Sequence, residues 1–278
     1  MSIATPSINH TTAIGQSRLS AQKAPGHWVL AQLGKRVLRP GGLHATRALI
    51  EALQIKKTDH VVEFAPGLGL TAEMIEAKWP AAYVGIDRDL PSVQQLQAKL
   101  ASHFCRFVHA PCEATGLPGG SADKLIGEAM LSMHPEITKT NILAEAHRLI
   151  KTDGLYGLHE LALTDEHLPD HERRRLRKNM SQVIHNGVTP LTTTEWCRLL
   201  RQQGFEPIQV CHIPFELLSP KRVLADEGLA GALRLAFNLI RNRPARKRVL
   251  AMRQVFRQYQ QHLSAILIVA RKSDGAAQ

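Results

Sequence analysis

Short apolar runs alternate with amphipathic stretches along most of the chain. The runs that predict strands are HVVEFA, AYVGID, CRFVHA, DKLIGEAML and LYGLHELAL. Between them lie LTAEMIEAKW, SVQQLQAKLASH and TKTNILAEAHRLI, whose apolar residues recur at helical spacing. This alternation predicts a doubly wound, mostly parallel α/β sheet, in which ligands bind at the carboxyl ends of the strands.

The two ends of the chain and two internal segments depart from this alternation. We predict a flexible N-terminal tail at 1–25, N-terminal helices at 26–57 and one large domain at 58–278. Within that domain, the segments at about 164–190 and 216–262 read as insertions, of which 216–262 is basic and largely helical. Because insertions on the carboxyl-end side of a sheet would cover a pocket, they predict a lid, with simple packing decoration as the alternative.

Composition places the chain among globular proteins. The 278 residues are 44% hydrophobic, and no apolar run approaches the ~18 residues that a membrane span needs. Four scattered cysteines include no C-x-x-C pair, so neither a disulfide framework nor a metal site is expected. The absence of a signal-peptide pattern makes the cytoplasm the expected compartment.

The positive charge is concentrated in the last 108 residues of the chain. Residues 171–278 hold 19 Lys and Arg against 7 Asp and Glu, whereas residues 1–170 hold 16 against 17. An acidic partner would therefore meet the C-terminal third, although a solvated helix face gives the same pattern.

One loop, between the first predicted strand and helix, has the composition of a ligand-binding loop. Gly67 and Gly69 let the backbone turn sharply and approach a ligand closely. The stretch from Gly67 also satisfies G-x-G-x-x-A, with Asp87 twenty residues later, so a nicotinamide-dependent oxidoreductase is a rival interpretation. Glu63 favours a cationic ligand instead, because a carboxylate near this loop would repel a pyrophosphate.

In this loop and in three later stretches, the chain resembles the class I S-adenosylmethionine-dependent methyltransferases over about residues 58–162. Their acidic-x-Gly-x-Gly-x-Gly loop corresponds to Glu63–Gly69, with Ala65 in place of the first glycine. The other matching stretches are YVGID, CEATGLPGGSADKLI and ILAEAHRLIKTDGLYGLHE. The resemblance implies a seven-stranded Rossmann-like sheet that closes with an antiparallel hairpin, here GFEPIQV and AILIVA.

The resemblance also implies S-adenosylmethionine as the cofactor and assigns residues to it. Asp87 would bond the ribose hydroxyls, Arg88 would flank the adenine, and Glu113 would lie near the adenine amine. The implied cofactor-binding residues are Glu63, Ala65, Pro66, Gly67, Gly69, Asp87, Arg88, Cys112, Glu113 and Glu128.

Methyl transfer requires alignment of donor and acceptor and, for some acceptors, a base. His134, in the loop after the fourth strand, is a candidate base because imidazole titrates near neutrality. His159 and Glu160, predicted at the end of the fifth strand, are candidates for contact with the acceptor.

The acceptor implied is a small-molecule or lipid-like compound, of the kind handled by quinone and natural-product enzymes of this broad group. A nucleic acid acceptor, bound through the basic C-terminal third, is the alternative. Two features argue against a nucleic acid. The position after the fourth strand reads EAMLSMHP, not Asn or Asp followed by Pro-Pro and an aromatic residue. Only 5% of residues are aromatic, which leaves few side chains on which bases could stack. The basic segment GALRLAFNLIRNRPARKRVLAMRQVFRQY is also compatible with peripheral contact with an anionic membrane.

Overall fold

The computed structural model describes residues 23–273, so most of the predicted tail lies outside the described residues. Its strands are β1 His60–Phe64, β2 Ala82–Asp87, β3 Cys105–His109, β4 Ala122–Glu128, β5 Ile150–Leu163, β6 Leu191–Thr192, β7 Phe205–Pro214 and β8 Leu263–Lys272. Its helices are α1 Gly26–Gln32, α2 Gly42–Leu53, α3 Leu70–Glu76, α4 Leu90–Leu100, α5 Glu136–Leu149, α6 Asp170–Ile184, α7 Thr193–Gln202, α8 Pro220–Arg241 and α9 Arg243–Tyr259.

Seven strands form a continuous sheet in the order β3-β2-β1-β4-β5-β8-β7. The first five strands pair in parallel, whereas β8 runs antiparallel to both β5 and β7. The predicted doubly wound sheet and its antiparallel terminal hairpin are therefore confirmed. The chain leaves β1 toward β2 on one side and returns to β4 on the other, which opens a crevice at the carboxyl ends of β1 and β4.

Two local features were not expected from the sequence. The stretch KTDG, which separates the predicted helix TKTNILAEAHRLI from the predicted strand LYGLHELAL, lies inside β5, where Asp153 has a φ of 61° and the pairing with β4 shifts register. The two-residue β6 pairs in parallel with the end of β5. Neither feature changes the order of the main strands.

Apolar side chains form three clusters. One lies under α5 and α7 on one face of the sheet, and a second lies under α2, α3 and α4 on the other face. The third joins α1, α6, α8 and α9 beyond the end of β5. Both predicted insertions are thus helical and share one apolar cluster, while the division of the chain at residue 58 stays a prediction.

Among residues 23–273, no helix combines the length and the apolar character needed to cross a bilayer.

Candidate functional site

The loop between β1 and α3 turns by placing three residues in left-handed backbone conformations. The φ angles are 52° at Ala65, 55° at Gly67 and 79° at Gly69. A Cβ added to Gly67 would meet only the Ala65 carbonyl oxygen, at 3.9 Å, whereas one added to Gly69 would lie 2.4 Å from a Leu96 methyl carbon. Gly67 therefore keeps space open in front of the loop, and Gly69 lets α3 approach α4.

This difference predicts opposite results for two matched substitutions. We expect Gly67→Val to abolish S-adenosylmethionine binding. The free energy of unfolding should fall only by the cost of left-handed backbone strain, ~1–2 kcal/mol, so the melting temperature should fall little. Gly69→Val adds a clash with Leu96 to the same strain, so it should lower the melting temperature much further. Calorimetric titration and thermal melts of both variants provide the measurement. An equal loss of stability in the two would contradict the distinction.

A cavity of about 700 Å³ opens in front of this loop, within the size range of small-molecule sites. It is bordered by the carboxyl ends of β1, β2 and β4, and by residues of α1, α6 and α9. The predicted residues that line it are Ala65, Pro66, Gly67, Asp87, Arg88, Cys112, Glu113, Glu128 and His134. The predicted residues outside the lining are Glu63, Gly69, His159 and Glu160.

Glu63 is enclosed within the sheet. Its side chain is buried and accepts a hydrogen bond from the Tyr83 hydroxyl at 2.5 Å. Burial raises the pKa of Glu63 to about 8, although the hydrogen bond from Tyr83 opposes the shift. Glu63 is therefore largely protonated at neutral pH. A neutral side chain does not supply the attraction for a cationic ligand that the sequence assigned to it, so another carboxylate must supply it. Its contact with the cofactor stays a prediction.

The raised pKa predicts a pH-dependent effect of Glu63→Gln. Above pH 4.5 the unfolded chain releases the proton that the folded protein retains, so Glu63 lowers the free energy of unfolding progressively from pH 4.5 to about 8. Gln mimics the protonated carboxyl group, and should stabilise the protein by about 3 kcal/mol near pH 7 relative to wild type. Thermal melts between pH 4.5 and 8 should show this advantage growing with pH. A constant difference would refute the protonated state.

Glu128 is the ionised carboxylate at the cavity. It lies at the end of β4, within 3.2 Å of the Arg39 guanidinium, and accepts hydrogen bonds from Thr46 at 2.8 Å and Thr71 at 2.6 Å. Burial alone would raise the pKa of Glu128, but the charge of Arg39 and hydrogen bonds from His159 and Thr71 lower it to about 2. A negative charge thus faces the space beside the glycine loop.

Arg39 brings a positive charge to the same place. Its Nη1 contacts Glu128, while its Nε and Nη2 atoms are buried without a hydrogen-bond partner. An unpaired buried donor is costly, and a guanidinium fork matches a carboxylate. Arg39 and Glu128 together therefore suit a ligand that carries both a carboxylate and an ammonium group, as the amino-acid end of S-adenosylmethionine does.

His159 and Glu160 are buried supports of the lining. The His159 ring nitrogens lie 2.7 Å from Glu128 and 2.7 Å from the Pro40 carbonyl oxygen, so both donate hydrogen bonds. Glu160 accepts hydrogen bonds from the amides of Met130, Leu131 and Ser132 and from the Ser132 hydroxyl. The two side chains thus position Glu128 and the loop after β4. Their direct contact with an acceptor stays a prediction.

The end of β2 supplies the opposite part of the cavity. Asp87 accepts a hydrogen bond from the Asp89 amide at 2.9 Å, and burial raises its pKa. Cys112, also in the lining, has its pKa raised by burial to about 12, so it remains a thiol at neutral pH. Glu113 lines the cavity but is exposed. Asp87 thus ends β2 in the cavity lining, and its contact with the ribose stays a prediction.

Beyond the loop after β4, the cavity is apolar. Its walls there come from α1, α6, α9 and the segment after β7, and sequence reasoning named none of their residues. They are Trp28, Met180, Ile184, Phe215, Leu217, Met252 and Phe256. Met180 and Ile184, like Met252 and Phe256, are four residues apart on one helix, but core packing produces the same spacing.

Two histidines lie in the cavity lining. Burial lowers the pKa of His27 to about 4, and burial followed by the charge of Arg88 lowers the pKa of His134. Both imidazoles are therefore neutral at pH 7, and each is able to accept a proton. His134 was expected here from the sequence, whereas His27, in the first turn of α1, was missed.

Comparison with known proteins agrees with this geometry. Residues 61–154 match a family described as a methyltransferase domain. An uncharacterized protein of Haemophilus influenzae is 34% identical over 235 residues, which cover 82% of this chain and 92% of that protein.

Solved structures share the fold. The MccD protein has a TM-score of 0.67 at 18% identity, covering 84% of this chain and 99% of that one. The 1,6-didemethyltoxoflavin-N1-methyltransferase of Burkholderia thailandensis, solved with 1,6-didemethyltoxoflavin and S-adenosylhomocysteine bound, has a TM-score of 0.54 at 15% identity, covering 84% of this chain and 79% of that one.

These matches, the sheet with its antiparallel terminal hairpin and the charged pair beside the glycine loop replace the nicotinamide-dependent interpretation. Residues 61–154 belong to the methyltransferase domain family, the fold is that of the class I S-adenosylmethionine-dependent methyltransferases, and S-adenosylmethionine is the cofactor of that family.

Proposed function

We propose that this protein transfers the methyl group of S-adenosylmethionine to a small, largely apolar acceptor. The observation that carries the proposal is the cavity of about 700 Å³, whose lining combines Arg39, Glu128 and Asp87 with apolar side chains of α1, α6 and α9. Such a cavity suits two ligands of different chemistry placed side by side. The Burkholderia relative, solved with a heterocyclic small molecule and S-adenosylhomocysteine, supports the same arrangement.

Different residues would bind the cofactor and the acceptor. Arg39 and Glu128 would hold the amino-acid group, Asp87 the ribose, and the glycine loop the backbone side of the cofactor. When bound, the cofactor supplies an electrophilic methyl group attached to a sulfonium. The apolar walls exclude water and hold the acceptor in line, so alignment provides most of the rate acceleration. His27 and His134 are neutral and line the cavity, so either is placed to take a proton from a hydroxyl or amine acceptor.

A nucleic acid acceptor is the second candidate, and the charge of residues 171–278 favours it. The arginines and lysines of α6 include Arg174, Arg175 and Lys178, which are exposed and able to contact phosphates. The acceptor end of the cavity argues against this candidate, because α6 and α9 line it with Met180, Ile184, Met252 and Phe256 and not with a row of basic side chains.

The proposal predicts both a cofactor profile and an acceptor profile. Calorimetry should show binding of S-adenosylmethionine and S-adenosylhomocysteine, without binding of NAD or NADP. With a methyl-labelled donor, label should pass to members of a panel of phenols, quinols and fatty acids, and not to transfer RNA or ribosomal RNA. Cofactor binding with label found only in RNA would overturn the small-acceptor proposal and leave the family assignment intact.

A further inference from the structure

Helix α8 is apolar on the side that faces solvent. Leu229, Leu233, Phe237 and Ile240 are 68%, 62%, 56% and 68% exposed. Their spacing of four, four and three residues places them in one stripe along the helix, which we call the α8 stripe. Leu235, on another side of the helix, is buried in the cluster beneath. Water thus contacts an apolar helix face, a surface that normally packs against other parts of a protein.

Polar contacts join α8 to residues 33–37 and leave the stripe exposed. Glu227 accepts hydrogen bonds from the backbone amides of Arg36 and Val37, both at 2.9 Å, and pairs with the buried Lys35 at 3.4 Å. Farther along, the Asn238 side chain donates to the Leu33 carbonyl oxygen at 3.0 Å. The backbone leaves the helical conformation at Gly228, so the part of α8 that carries the stripe is fixed by Asn238 and the buried Leu235. Rotation of that part cannot bury the stripe without breaking the Asn238 hydrogen bond and exposing Leu235.

The charge around the stripe favours one kind of partner. Between Leu229 and Tyr259 the chain contains seven Arg and one Lys but no Asp or Glu. Arg241 lies 5.2 Å from the centre of the Phe237 ring, so a cation borders the apolar surface directly. A second copy of this chain would bring like charges together across such a face, whereas an anionic lipid surface attracts them.

We propose that the α8 stripe docks this protein on anionic lipid bilayers, with the apolar side chains in the interface and the arginines among the headgroups. The proposal is independent of the acceptor. It also has a consequence for the site, because α8 packs on α9, whose Met252 and Phe256 line the cavity. Docking would place the acceptor end of the cavity about one helix diameter, ~10 Å, from the lipid surface.

Co-sedimentation of the full-length protein with vesicles tests the proposal. We expect binding to phosphatidylcholine vesicles that contain 30% phosphatidylglycerol, little binding to phosphatidylcholine alone, and weakening by salt. The double variant Leu233→Ser, Phe237→Ser should lower the partition coefficient at least tenfold. The matched control is Trp79→Ser, Ile137→Ser, because those side chains are 65% and 68% exposed elsewhere and should leave binding unchanged.

A second pair of variants separates local charge from total charge. Arg241→Glu, Arg243→Glu should reduce binding at least tenfold, whereas Arg106→Glu, Arg198→Glu, at exposed positions on β3 and α7, should reduce it less than threefold. Unchanged S-adenosylhomocysteine affinity in every variant verifies the fold. Equal binding by the stripe variant and wild type, or no preference for anionic vesicles, would overturn the proposal. So would a concentration-dependent dimer that the stripe variant abolishes, because a second copy would then cover this face.

Discussion

Replacing Arg39 by Leu is expected to raise the dissociation constant for S-adenosylmethionine on the order of a hundredfold. Two nitrogens of its buried guanidinium have no protein partner, and Glu128 occupies only the third. A carboxylate bound there would be paired with little water present, and removing one member of such a pair costs ~2–5 kcal/mol. Each 1.4 kcal/mol corresponds to a tenfold change in affinity. Calorimetric titration gives the constant directly.

The Arg39→Leu result needs a control for stability, because Glu128 loses a partner as well. Arg173 provides this control, because its side chain is 17% exposed against 13% for Arg39 and it pairs with Glu195 away from the cavity lining. Arg173→Leu should lower the melting temperature without weakening cofactor binding. A second ligand sharpens the test. 5′-Methylthioadenosine has no amino-acid group, so Arg39→Leu should leave its affinity within threefold of wild type, and a hundredfold loss there would contradict the assignment.

Sequence reasoning could not have chosen Arg39. It is one of several cations in the segment GKRVLRPGG, and nothing local distinguishes it from Arg36. Its position depends on contacts between distant parts of the chain. Gly41 and Gly42 reverse the backbone with φ angles of 70° and 64°, and the Pro40 carbonyl oxygen accepts the hydrogen bond from His159. Only the folded chain brings this segment over the end of β4.

The two carboxylates at the ends of β1 and β4 show a different limit. Glu63 and Glu128 both end short buried strands, and a cationic ligand could be assigned to either from the pattern alone. In the sheet, Glu63 is enclosed beside Tyr83, whereas Glu128 lies at the cavity with Arg39. The alternation of strands and helices and the glycine loop were predictable because apolar periodicity and backbone conformation are local properties. Ionisation was not, because burial and neighbouring charges determine it.

The two insertions show that helical periodicity does not determine what an apolar helix face contacts. Only the insertion at 216–262 was predicted as helical, and helices of both insertions, α6 and α9, line the cavity through Met180 and Met252. The apolar positions of α8 gave the same signal as those of α9, yet five of them face solvent. A helical period identifies a stripe but not its partner, because core, ligand and membrane all select apolar side chains.

Asp87→Ala is expected to raise the dissociation constant for S-adenosylmethionine at least tenfold. Asp87 ends β2 in the cavity lining, where its carboxylate would accept hydrogen bonds from both ribose hydroxyls. Bonds to a charged group contribute ~1.5–3 kcal/mol each. Unlike Arg39→Leu, this change should weaken 5′-methylthioadenosine by the same factor, because the ribose is common to both ligands.

The control for Asp87→Ala is Asp123→Ala, at the opposite end of the sheet. Asp123 also accepts a backbone hydrogen bond, from His60 at 2.8 Å, and pairs with Lys151, so its loss should affect stability similarly. Because β4 begins there and the cavity opens at the carboxyl ends of the strands, cofactor affinity should not change. Loss of S-adenosylmethionine affinity alone in Arg39→Leu, together with equal losses of both ligands in Asp87→Ala, would locate the amino-acid and ribose ends of the cofactor separately. Equal losses of both ligands in both variants would instead indicate general disruption of the cavity.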